Sequence, residues 1–191
     1  MLDHLQIIFW TSAYVLIAYY GWRYQKDHIL LMPMLAGAMN FAWEINALLI
    51  SHGNYGHILW TGLDIAIFLH NLRRLSGKKQ RIYYGVLLLG FIGILYGIFH
   101  IFTGDGQLIS AFIIDLIVSL EFVLLGKVIA QQGKMLIGIL RLLGDLFAWL
   151  FCLRQSLLVS VLGGLVLFLN LFYLAYCLEQ RSALSKRRKR R

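Results

Sequence analysis

The residues best suited to chemistry stand together in the stretch Asn40-Phe-Ala-Trp-Glu44-Ile-Asn46. They lie inside an apolar run from about His28 to Ile50, long enough to cross a bilayer, where an ionised carboxylate is expensive and needs a reason to exist. Asn40 and Glu44 share one helix face, with Ala47 below them and Trp43 beside them, and such a face belongs against protein rather than lipid. Comparable residues recur along the chain. Trp60 and Asp64 are one turn apart, and Asp115 shares a face with Ser119, whereas Glu121 is rotated away from it. Arg141 stands one turn before Asp145, which invites an intrahelical ion pair, and Asn170, Tyr173 and Cys177 form a stripe. Trp10 and Tyr14 lie deep in the first apolar segment, where they line a cavity or, more plainly, pack between helices.

Counted inward from the outer ends of their segments, Glu44, Asp64, Asp115 and Asp145 each lie about seven residues deep, roughly 10 Å at about 1.5 Å per residue. Four acids from four helices therefore share one layer. For any single member a hydrogen-bonded packing role suffices; the set points to a functional cavity. A carboxyl withdrawn from water holds its proton more tightly and is suited to act as a general acid. In an apolar cavity such an acid protonates an alkene or an epoxide, and aromatic walls shelter the resulting carbocation from water. No His or Cys joins the layer at metal-ligand spacing, so no metal is expected. Neither an aspartate-rich diphosphate motif, a phosphate-binding glycine loop nor a nucleophile elbow is present, and no cofactor is expected.

The elements that must position these groups follow from composition. Of 191 residues, 60% are apolar, and the mean hydropathy is +0.72, which excludes a soluble domain with one buried core. Seven apolar segments, near 5–22, 29–50, 57–71, 82–102, 108–126, 134–152 and 157–178, each approach membrane-spanning length. The third is the shortest. All but two of the 18 Lys and Arg fall in the first, third and fifth loops or the C-terminal tail; the exceptions are Arg141 and Arg154. Because basic loops stay cytoplasmic, the expectation is an all-α membrane protein: seven transmembrane helices in one bundle, N-terminus outside and C-terminus cytoplasmic. The bundle covers 1–180 and is followed by a basic tail over 181–191 that can attract anionic lipid headgroups. No cleavable signal is evident, so the first segment is expected to stay as a helix of an integral cell-membrane protein. The net charge of +9 is a topology signal and does not describe a nucleic-acid surface. Cys152 and Cys177 fall near opposite faces of the membrane, too far apart to form a bridge.

Five short segments, Asn40-Phe-Ala-Trp-Glu44, Trp60-Thr-Gly-Leu-Asp64, Ser119-Leu-Glu-Phe122, Arg141-Leu-Leu-Gly144 and Asn170-Leu-Phe-Tyr173, carry a resemblance. Their order and spacing are similar to those of the small seven-helix membrane terpene cyclases of meroterpenoid pathways. The resemblance implies metal-independent, proton-initiated cyclisation of a hydrophobic prenylated substrate, with an acid at Glu44. It implies a second functional position at Asn170, where an amide stands in place of the family's aspartate. On this reading Glu44, Asp64 and Asn170 are the catalytic set, and Asn40, Trp43, Trp60, Asp115, Tyr173, Trp10 and Tyr14 form the substrate cavity. The alternative is a small transporter or lipid-binding protein that uses the acid layer for proton or cation coupling. No inverted repeat or pair of broken helices supports a carrier.

Overall fold

A computed structural model describes residues 2–24, 34–50, 55–101, 105–124, 134–153 and 156–189. Among these residues the fold is entirely helical: α1 (Leu2–Tyr24), α2 (Met34–Ile50), α3 (Tyr55–Arg74), α4 (Lys78–Ile101), α5 (Asp105–Leu124), α6 (Lys134–Cys152) and α7 (Leu157–Lys189). The expected start of the second segment, with Pro33, lies outside the described residues. Stretches within α4, α5, α6 and α7 are long and apolar enough to cross a membrane, and shorter apolar stretches cover His4–Tyr19 and Met34–Ile50. The outward surface is apolar: Leu49, Leu89, Ile101 and Leu157 are 70%, 70%, 74% and 82% exposed. Helices that are apolar on their outer faces as well as at their contacts suit a lipid environment.

Helix ends are closed locally. The Ser156 hydroxyl accepts the Val159 N–H (3.1 Å) and so caps the start of α7. The Arg81 side chain donates to the Leu75 carbonyl (2.9 Å), satisfying the end of α3 where the chain turns into α4. At the start of α2 the Ala36 N–H, a donor with no partner inside its own helix, is accepted by the Glu121 carboxylate from α5 (3.1 Å). This gives Glu121 a structural task on the far side of its helix from Asp115. α7 continues through the basic run to Lys189, so much of the expected tail is helical. Lys and Arg are good helix formers, and the apolar stem supplies the nucleus from which they propagate.

The helices pack in a circuit: α1 against α6, α6 against α7, α7 against α5, α5 against α2 and α4, α2 against α4 and α3, and α3 back against α1. α2 is the hub. Its buried Ala36, Gly37, Ala38, Ala42 and Ala47 let three neighbours come close, as small residues do in membrane helix contacts. The Asn46 amide donates to the Ile92 carbonyl (3.1 Å), tying α2 to α4. A second close approach joins α1 to α6, where a Cβ at Gly144 would collide with the Trp10 indole.

Candidate functional site

Inside the circuit lies a cavity of about 350 Å³ lined by residues from α1 to α6. Seven of the sequence-chosen residues reach its wall: Glu44, Asn40, Trp43, Trp60, Asp115, Trp10 and Tyr14. Three do not. Asp64 is buried behind Asn40, Asn170 is buried against Asp145, and Tyr173 packs edge-on to Phe122.

The α2–α3 side holds Glu44. The residue is 5% exposed, and its Oε2 lies 2.8 Å from His57 Nδ1. The expectation that no His joins the acid layer is corrected here: α3 begins at Tyr55, which places His57 in its first turn and its ring against Glu44. No sequence pattern announces such a pair, because it depends on how α3 docks against α2. Next to it, the Asn40 amide donates to Asp64 Oδ2 (2.8 Å), while Asp64 Oδ1 has no hydrogen-bond partner among the described residues. The aromatic wall is continuous from here. His57 sits between Trp43 and Trp60, each at 5.4 Å between ring centroids, and Trp60 meets Trp10 edge-to-face at 5.3 Å. Hydrogen bonds fix the indoles: Trp43 Nε1 donates to Ser110 Oγ (3.1 Å) and Trp60 Nε1 to Thr11 Oγ1 (3.0 Å).

The α5–α6–α7 side is organised differently. The expected intrahelical pair of Arg141 with Asp145 gives way to contacts across helices. Arg141 Nη2 donates to Asp115 Oδ1 (3.2 Å) and to Ser119 Oγ (3.0 Å), both on α5. Asp145 instead accepts from Trp10 Nε1 (2.6 Å) and, through its other oxygen, from the Asn170 amide. Helical spacing permitted the local pair; the partners facing α6 from α1, α5 and α7 offered donors and acceptors better aimed. Tyr14 stands between the two sides, within electrostatic reach of Glu44, Asp64, Asp115 and Arg141.

Among the described residues no group of three or more His, Cys, Asp and Glu is gathered as a metal ion would require. Both cysteines are buried and neither is in a disulfide among the described residues, and Cys152 contributes to the cavity wall. The chemistry on offer is therefore a carboxyl paired with an imidazole, facing an aromatic chamber of small-molecule size. No protein-family model matches the chain, and no curated protein or solved structure matches it.

Proposed function

We propose that the protein is a membrane terpene cyclase that starts ring closure by protonating a hydrophobic prenylated substrate. The reading is carried by one observation: the Glu44 carboxyl, hydrogen-bonded to His57, forms part of an aromatic cavity wall made by Trp10, Trp43 and Trp60. A proton delivered from Glu44 to a terminal alkene or epoxide creates a cation. The indole faces stabilise that cation while the chain folds on itself. Return of a proton from the cyclised cation to the Glu44 carboxylate ends the reaction and restores the acid, so substrate and product have equal mass. The same proposal places all seven helices across the membrane, with the N-terminus outside. Single cysteines placed at Ser76 and Ser156 in a chain lacking Cys152 and Cys177 are expected to label from opposite sides; labelling from one side would reject the topology.

The test of activity incubates purified protein with prenylated quinols, indoles and epoxides and looks for products of unchanged mass and altered retention. Turnover by the native protein that is lost in Glu44→Gln supports the cyclase. Proton or cation flux in liposomes, with no turnover of any substrate, would replace it with a transporter.

A further inference from the structure

Arg141 is the single Lys or Arg among the described residues lining the cavity, and at 7% exposure it is more than nine-tenths buried. Its donors are unequally used. Nη2 serves both Asp115 and Ser119, and the guanidinium carbon lies 4.4 Å from the centre of the Phe122 ring. Nη1 has no hydrogen-bond partner among the described residues. A guanidinium has five N–H donors in a rigid fork, and leaving one nitrogen of a buried cation unpaired is costly unless something else completes it. The side chain lines a chamber able to hold a ligand, so an acceptor carried by that ligand is the natural completion.

The charge of the acceptor follows from its surroundings. Arg141 is already compensated by Asp115 at 3.2 Å, and Asp145 interacts with both groups. An anionic headgroup would add negative charge to a cluster holding two carboxyls and one cation. A neutral oxygen adds none. Glu44 and Arg141, on α2 and α6, line the same cavity, so one ligand can meet both. We propose that Arg141 is a substrate-binding subsite that takes a neutral oxygen acceptor, such as a ketone, ester or ether, on the head of an otherwise apolar ligand. The chain of that ligand then runs along the aromatic wall toward Glu44.

This subsite rests on the cavity being a substrate site, and its test reads binding. Quenching of tryptophan emission in the purified full chain would be titrated with farnesylacetone, farnesene and farnesoate, which differ mainly in the head. The ketone is expected to bind about 10-fold or more tightly than the hydrocarbon and also more tightly than the carboxylate. Arg141→Lys keeps a cation for Asp115 but loses the fork, and is expected to narrow the ketone's advantage to about threefold or less while leaving farnesene binding unchanged. Equal binding of ketone and hydrocarbon by the native protein overturns the proposal, as does an undiminished advantage in Arg141→Lys. Tightest binding of farnesoate overturns the neutral acceptor. If Arg141→Lys does not fold, the ranking by the native protein decides. Cyclisation without ketone preference rejects the subsite alone; ketone preference without cyclisation rejects the cyclase alone.

Discussion

Glu44 and Asp145 are both buried acids within one helix circuit, yet their surroundings assign them different work. Asp145 is 1% exposed and lies off the cavity wall, with one oxygen bonded to the Trp10 indole and the other to the Asn170 amide. Those two donors hold their protons permanently, so the group anchors α1 and α7 to α6, and it also shares a hydrogen bond with the Asp115 carboxyl on α5. Glu44 lines the cavity and is bonded to His57, whose ring nitrogens can either donate or accept a hydrogen bond. A carboxyl held between two fixed donors and turned away from the cavity is a fastener. One that faces open volume beside an imidazole can lose and regain a proton.

Three substitutions break or sharpen that contrast. Glu44→Gln keeps the shape and removes the acid; turnover is expected to fall about 10²–10⁴-fold, while the gel-filtration profile is unchanged. A retained rate would move the acid elsewhere. Asp145→Leu is expected to act on stability, since it strands the Trp10 and Asn170 donors in an apolar interior. A loss of about 2–5 kcal/mol is expected, read as a lower unfolding temperature in detergent. If the folded fraction of that variant has lost turnover as completely as Glu44→Gln, the division of labour fails. Asn170→Asp has the smallest expected effect. It removes one donor and sets a second carboxyl against Asp145, so one of the two must carry a proton. Stability is expected to fall by about 1–3 kcal/mol, with an altered rate or product mixture and an active protein, as judged by the same unfolding and product assays.

Much of this architecture can be read from residue patterns, and the limits have physical causes. The seven helices appear in the chain as apolar runs, and the Asn40–Glu44 face was legible because a helix repeats every ~3.6 residues. Local rules do not reach across helices. The spacing of Arg141 and Asp145 satisfied an intrahelical pair, but the guanidinium found Asp115 and Ser119 on α5. His57 was hidden for the same reason: its relation to Glu44 is created by the docking of α3 on α2, and the polar stretch before it resembles an ordinary turn. Asp64 shares the α3 face of Trp60, but Asn40 covers its carboxylate. Helix periodicity gives the direction of a side chain and leaves open which neighbour will cover it.

The fit of Trp10 against Gly144 also bears on the order in which the molecule is made. α1 is made before α6, yet α6 is its main partner. Until α6 is synthesised, the Trp10 indole lacks its acceptor Asp145, and Asp115 on α5 lacks the cation that compensates it. A nascent chain that has reached only α5 therefore holds an unneutralised acid in an apolar helix, an arrangement lipid tolerates poorly. Arrival of α6 supplies Arg141 and Asp145 together, one turn apart, so a single helix compensates Asp115 on α5 and holds α1 beside the chamber.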